Sequence, residues 1–433
     1  MGEGAGSPGT SSGLVGAAAA GPQTPAAPAA DEDGPARRHA MLALLAGAQM
    51  AASFGIIGLP SLAPLLREDL GLSVAQAGSV LSAFYLGRFI VSLPAGWLTD
   101  RLGSRTTWLA GQALTATFLL VMARTGTYLS LLLALAGVGL GFGSANPASQ
   151  RAVMEWFPRA SRATAVGIRQ TGAPLGGALG ALILPSLALA SGWRAAVGTA
   201  GALMLAMFVV SAVGYRRPRR SALAADETQA SAAPAGAPAA RTAAGLVTLM
   251  ACITALFSCV QLSWTSYLTL YLHDALGYSV TAAGAVLAQG NIGGIAGTIL
   301  LGLLSDRAFG GRRKPVLIGC AVVVAGLLAA QARGAVLPGW VLLAIVLVLG
   351  GLAIGWDGVH FALLGELAPR GRTGMALGVG HLGSTSGAVV GPPLFGIILA
   401  WTGSFTAAWL FAAGVSLANA AALSLLPESH GKD

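Results

Sequence analysis

Charge is the scarcest feature of this chain. Asp, Glu, Lys and Arg make up 9% of its 433 residues, against roughly a quarter in a soluble protein, so a soluble fold of this length is excluded. Cysteine is almost as rare. Cys252, Cys259 and Cys320 are an odd number in apolar surroundings, which argues for buried free thiols and against a disulfide framework or a zinc site. Paired catalytic carboxylates in a loop, a nucleophile motif, a phosphate loop and metal-ligand spacing are all missing. No enzyme chemistry, metal or cofactor is therefore expected. The alternating pattern of a membrane barrel is missing too.

What is present is apolar. Hydrophobic residues make up 55% of the chain, and the mean hydropathy is +0.73. Many uncharged runs exceed the roughly 20 residues that cross a bilayer as a helix. In lipid such runs satisfy their backbone only as helices. The 62 glycines suit close helix approach. Twelve spans are expected, at 41–66, 74–96, 107–124, 128–157, 161–190, 193–214, 244–272, 279–302, 315–333, 337–367, 373–398 and 403–426. The fold class is thus an all-α polytopic membrane protein. Residues 1–36 read as a disordered cytoplasmic tail and not a signal peptide, since no basic region precedes an apolar core there. Residues 37–214 and 243–427 form two six-helix bundles, 215–242 an Ala/Pro/Ser linker, and 428–433 a short tail.

The net charge of +9 would suit nucleic acid, but its distribution points to a membrane. Most Lys and Arg residues, from Arg37 and Arg38 to Lys432, fall in alternate loops. Only Arg67, Arg124, Arg194 and Arg333 fall in the opposite set. That bias places both termini and the linker in the cytoplasm of a plasma-membrane protein, with the bilayer and a small solute as its partners, no nucleic acid, and a monomer as the expected state.

A short turn recurs. Gly96-Trp-Leu-Thr-Asp100-Arg101-Leu-Gly103-Ser-Arg105 follows the second span, and Gly302-Leu-Leu-Ser-Asp306-Arg307-Ala-Phe-Gly-Gly-Arg312-Arg313 the eighth. The halves match elsewhere. Aligning Pro158 with Pro369 puts Asn146 on Asp357, Glu155 on Glu366, and Gly172, Gly176 and Gly180 on Gly383, Gly387 and Gly391. These glycine triplets make a flat groove for another helix. Parallel repeats of this kind are a carrier architecture with the binding site between them.

With these motifs in place, the chain resembles the major facilitator superfamily over residues 38–427. The resemblance implies that spans 1, 4, 7 and 10 line a central cavity, that 2, 5, 8 and 11 form gates, and that 3, 6, 9 and 12 lie outside. Intramembrane ionisable residues are Arg88, Arg151, Glu155, Arg169, Asp357, His360, Glu366 and His381. All avoid the outer spans, where a charge facing lipid would be costly. Leu133 stands where proton-driven exporters usually carry an Arg. Trp156-Phe157-Pro158 closing span 4, and an Arg within span 2, are similar to importers of small anions such as cyanate, nitrate and oxalate–formate carriers.

Arg88, after Tyr85, lies about 12 Å into the membrane and cannot shed its charge. It awaits either an anionic substrate or a structural pairing, for instance with Asp357. Arg169 offers a second guanidinium for a carboxylate or an inner-gate hydrogen bond. Gln170 beside it points about 100° away, so the two should not face one spot. Asn146 and Arg151 complete the candidate substrate set. Arg151 also suits a local ion pair with Glu155, four residues on. Asp357, with His360 one turn away on the same face or His381, is the candidate proton carrier; the alternatives are a fixed counter-ion and ordinary hydrogen-bonded imidazoles. From the resemblance, Gly96, Asp100, Arg101, Gly103, Arg105, Glu155, Gly302, Asp306, Arg307 and Glu366 belong to gating. Asp100 and Asp306 should also cap nearby helix N-termini.

The expected activity is secondary active transport by alternating access: proton-coupled uptake of a small organic or inorganic anion such as a monocarboxylate. The alternative is a proton-driven exporter of drugs or metabolites.

Overall fold

The computed structural model describes residues 1–2, 34–157, 159–216, 218, 242–367 and 373–427. Most of the expected N-terminal tail, most of the linker and the tail at 428–433 lie outside them. The described residues form twelve long helices: α1 Gly34–Ile56, α2 Val74–Leu102, α3 Ser104–Met122, α4 Tyr128–Trp156, α5 Arg159–Ser191, α6 Trp193–Gly214, α7 Thr242–Leu270, α8 Val280–Leu303, α9 Arg313–Gln331, α10 Gly339–Leu367, α11 Thr373–Thr402 and α12 Phe405–Ser424. Eleven of these segments are long and apolar enough to cross a membrane. The twelfth, α3, buries Thr107, Gln112 and Thr115 and packs against α4 and α6. The chain is an all-α, multi-pass membrane protein.

Local chemistry fixes the helix ends. Ser73 and Gln76 form a reciprocal capping box at the start of α2, at 2.9 and 3.1 Å, and Thr127 with Ser130 does the same for α4. Each box satisfies two donors that the first helical turn leaves unpaired. The first span is not one helix as expected. It breaks after Ile56, turns through Leu59–Leu62 and resumes as Ala63–Leu70. Pro60 lies in the first turn of the 3₁₀ segment Leu59–Leu62, and Pro64 in that of Ala63–Leu70. Gly58 packs so close to α5 that a Cβ there would lie 2.7 Å from the Gly180 backbone.

The glycine triplets bring helices into backbone contact. A Cβ on Gly172, Gly176 or Gly180 would fall 2.5, 2.2 or 2.1 Å from the carbonyl oxygens of Ala46, Met50 and Phe54 on α1. On Gly383, Gly387 or Gly391 it would fall 2.3, 2.0 or 2.6 Å from those of Ala251, Ala255 and Cys259 on α7. Real Cβ contacts essentially never come this close. The same device thus seats α5 on α1 and α11 on α7.

Helices α1–α6 pack mainly on one another, as do α7–α12, and α2 meets α11 while α5 meets α8. The ends of the molecule differ. At the end opposite the repeated turns, the Tyr267 hydroxyl donates to the Ala75 carbonyl at 3.0 Å. Thr269 Oγ1 donates to the Pro60 carbonyl at 2.5 Å, and Arg67 pairs with Asp274 at 2.5 Å. At the end bearing the turns, no hydrogen bond or ion pair joins the bundles among the described residues. The crevice between bundles is therefore closed at the far end.

The repeated turns depart from expectation in one respect. Asp100 lies inside the last turn of α2, and Asp306 inside a wide π-helical turn, Leu304–Ala308. Neither caps the next helix. Gly103 holds the N-cap of α3 and Arg312 that of α9, both without a side-chain cap. Both carboxylates sit within a helical end and turn to arginines instead.

Candidate functional site

Three glycines set the position of Arg88. A Cβ on Gly139 would lie 2.0 Å from the Phe84 carbonyl, and one on Gly87 2.0 Å from that of Ala136. One on Gly143 would meet Val91 at 2.5 Å and the Arg88 Cα at 3.2 Å. Helices α2 and α4 therefore touch along their backbones, and the Arg88 guanidinium passes over the Phe142 ring at 5.8 Å. A cation over a ring face is stabilised by the ring quadrupole. Arg88 is half-buried, and among the described residues no carboxylate forms an ion pair with it. Its charge acts on Tyr85 beside it and, across the bundle boundary, on Asp357 of α10 and His381 of α11. Asp357 and His381 are both exposed. The His381 ring stacks on Phe361 at 4.4 Å. These four residues form one group, which the structure assembles from three helices.

Other candidates lie elsewhere. His360 does not share a face with Asp357. It is buried in the second bundle among Phe257, Trp356 and Phe361, with Nε2 2.6 Å from Thr254 Oγ1. Three residues make 300° of helical turn, and the remaining 60° separates a crevice-facing side chain from a core one. Trp356, next to Asp357, stacks on Phe257 at 4.5 Å and donates to Gln261 Oε1 at 3.1 Å, fixing that stretch of α10.

Arg169 is wholly buried, at 0% exposure. Its Nη1 donates to Ser149 Oγ at 3.0 Å and to Gln49 Oε1 and Asn146 Oδ1, both at 3.3 Å. Its Nη2 donates to Gln170 Oε1 at 2.9 Å. The expectation that Arg169 and Gln170 diverge fails, because two long side chains bend back to meet although their Cα–Cβ bonds point apart. Gln170 is exposed, so Arg169 stands behind it and not at the crevice surface. Asn146 is likewise held through Arg169.

Arg151 does not join the Arg88 group. It bonds Asp100 and also Glu155, the latter at 3.3 Å. Ser104 donates to the other Glu155 oxygen at 2.7 Å. The second half repeats this cluster with its cation from another place. Arg313, at the start of α9, reaches Asp306 at 2.5 Å, Glu366 at 3.3 Å and Ser305 at 3.1 Å. Arg307 is exposed and takes no part. Arg101 lies over Trp97 at 5.3 Å, and Arg105 donates to the Ala212 carbonyl at 3.1 Å. Sequence reasoning missed Arg313. The signal was there, since counting in the two extra residues of the second turn aligns Arg313 with Arg105. Gly103, with φ 84° and ψ 159°, adopts backbone angles open almost only to glycine. A Cβ on Gly96 or Gly302 would meet nothing within 4 Å.

Known proteins share these features. A family model described as Major Facilitator Superfamily matches residues 45–359 and 292–433. The hexuronate transporter of Bacillus subtilis is 25% identical over 371 residues, covering 82% of this chain and 86% of that protein. The probable L-galactonate transporter of Escherichia coli is 25% identical over 377 residues, covering 83% of each. Among solved structures, a D-xylose–proton symporter superposes with TM-score 0.73 at 18% identity, covering 91% of this chain and 99% of that one. Twelve helices, a repeated Asp-Arg turn and the family match agree: the chain belongs to the Major Facilitator Superfamily and is a membrane transporter, not an enzyme.

Proposed function

We propose that the protein takes up a small organic acid anion, coupled to protons, by alternating access of its two bundles. The observation that carries this reading is Arg88, a half-buried guanidinium at the bundle boundary without an acidic partner in ion-pair contact among the described residues. A charge that cannot be neutralised by deprotonation is costly to desolvate, and a substrate carboxylate offers the bidentate partner that it lacks. The relatives' names support the substrate class, since hexuronate and L-galactonate are both sugar acids.

In this reading Tyr85 and the exposed Gln170 bond the substrate's hydroxyl groups, and Arg169 orients Gln170 and Asn146 from behind. Asp357 carries the proton. Ionised, it draws Arg88 to itself. Protonated, it releases Arg88 to the anion, so proton and anion travel together. His381, beside Arg88, is the second proton carrier. The clusters at Glu155 and Glu366 hold the ends of the bundles that bear the repeated turns, which lie in the cytoplasm with both termini. The protein works as a monomer in the plasma membrane with no bound cofactor.

The test is uptake of radiolabelled galactonate or glucuronate into proteoliposomes, with the outside acidic. Arg88→Ala removes charge-assisted bonds worth about 2–3 kcal/mol, so affinity falls roughly 30- to 150-fold, while Arg88→Lys retains part of it. Unchanged uptake in Arg88→Ala would overturn the anion assignment.

A further inference from the structure

The cationic and imidazole side chains that lie within the membrane are sorted by what already holds them. Arg151 is taken up by Asp100 and Glu155. His360 is 1% exposed, among aromatic rings of the second bundle. Arg169 is 0% exposed, and both its Nη atoms donate to neutral oxygens. Its charge is solvated inside the first bundle, and the crevice meets the Gln170 amide in front of it. Among the described residues, Arg88 and His381 are left to face a guest, and the charge of Arg88 acts on His381. The acids sort the same way. Glu155 and Glu366 are bound to Arg151 and Arg313, which leaves Asp357 as the acid of the crevice among the described residues.

The charges at the site then sum simply. Arg88 brings one positive charge that it cannot shed. With Asp357 protonated and His381 neutral, a guest with one carboxylate brings the total to zero. A second carboxylate leaves one negative charge without a partner. Water solvates it while the crevice is open. Alternating access passes through a state closed at both ends, where water is displaced and an unpaired ion is costly. There Tyr85 and Gln170 offer the far end of the guest hydrogen bonds and no charge. Hydroxyl groups are satisfied by such partners. An ionised carboxylate is not.

We propose that the carrier accepts sugar acids with a single ionised carboxylate, the aldonates and uronates, and rejects aldarates, which carry a carboxylate at each end of the same carbon chain. Charge number sets the limit, not length, because one guanidinium faces the guest and the second stands behind an amide. This inference rests on the anion reading of Arg88 given above.

The test is exchange by the wild-type protein, which scores only acids that are carried. Proteoliposomes are loaded with an unlabelled acid, and entry of labelled galactonate is followed at about pH 8 on both sides. At that pH an imidazole of ordinary pKa adds no charge, and both ends of an aldarate are ionised. Three internal acids are compared: galactonate, galactarate, and galactarate with one carboxyl converted to a neutral amide. Galactonate and the monoamide are expected to drive exchange alike. Galactarate should drive it at least about 30-fold more slowly. The monoamide separates charge from size. Exchange as slow with the monoamide as with galactarate, or as fast with galactarate as with galactonate, overturns the proposal and leaves the anion reading standing. If internal galactonate drives no exchange, the anion reading fails, and this inference with it.

Discussion

Arg88 on α2 and Asp357 on α10 belong to opposite bundles and interact electrostatically, yet no ion pair joins them. A pair in contact would satisfy both charges within the protein. The separation leaves each able to take a second partner, a carboxylate for the one and a proton for the other.

Asp357→Asn imitates the protonated carboxyl permanently. The variant should exchange external for internal sugar acid as the wild type does. It should no longer concentrate the acid under a pH gradient. Counterflow and gradient-driven uptake, measured on the same vesicles, separate the two behaviours. Normal accumulation by the variant would remove Asp357 from the coupling scheme.

The repeated turn contains glycines of two kinds. Gly103→Ala forces a side chain into a φ/ψ region that costs about 1–3 kcal/mol, and should lower the unfolding midpoint. Gly96→Ala adds a methyl group to open space and should leave it unchanged. Equal effects in the two variants would mean that the motif's glycines serve something other than backbone geometry.

Gly387 faces the Ala255 carbonyl with no space for a methyl group. Gly387→Val should destabilise by about 3 kcal/mol and deplete the protein from the membrane fraction. Gly378 lies on the same helix with nothing near it, so Gly378→Val serves as the matched control. Comparable yields of the two variants would contradict the packing of α11 on α7.

In the second gate cluster, Arg313→Gln leaves Asp306 and Glu366 facing each other without a cation. The acids are partly exposed, so the stability loss should be about 0.5–1 kcal/mol. Arg307→Gln should fall within about 0.5 kcal/mol of the wild type. Chemical denaturation of the detergent-solubilised variants ranks the two, and the reverse order would reassign the cluster.

Much of the fold was legible because its signals are local. Hydropathy runs mark eleven of the twelve long helices whatever their neighbours do. The glycine triplets appear in sequence as a four-residue period and in space as backbone contact. The break near Pro60 was harder to place, because Gly58 beside it also packs on the backbone of Gly180, far away in the chain. At the site, residue type was readable and direction was not. Arg88, Asp357 and His381 were all named, but nothing local to α10 says that His360 turns inward while Asp357 does not. Arg169 meeting Gln170, and Arg151 reaching Asp100, depend on side chains of five or more atoms whose torsions are set by packing. The repeated turn suggested Arg307 because adjacency is visible in sequence. In neither copy does the arginine next to the Asp reach the acids: Arg101 lies over Trp97, and Arg151 and Arg313 hold the carboxylates instead.

Tyr267 and Thr269 both end on main-chain oxygens, those of Ala75 and Pro60. No substitution in the first bundle can delete a carbonyl, so from that side these two threads can be severed only by displacing the α7 side chains, as a side chain at Gly78 would displace Tyr267. Tyr267 also fills the space that side chains at Gly78 and Gly396 would need. Tyr267→Phe keeps the wedge and loses one neutral hydrogen bond, about 1 kcal/mol, or roughly a fivefold tilt toward molecules unsealed on that side. Spin labels at Glu68→Cys and Thr281→Cys, with the native thiols replaced, should report a growing long-distance population. An unchanged distribution would show that the plug holds by shape alone. Half of this latch is thus written in the one part of a protein that evolution cannot edit residue by residue.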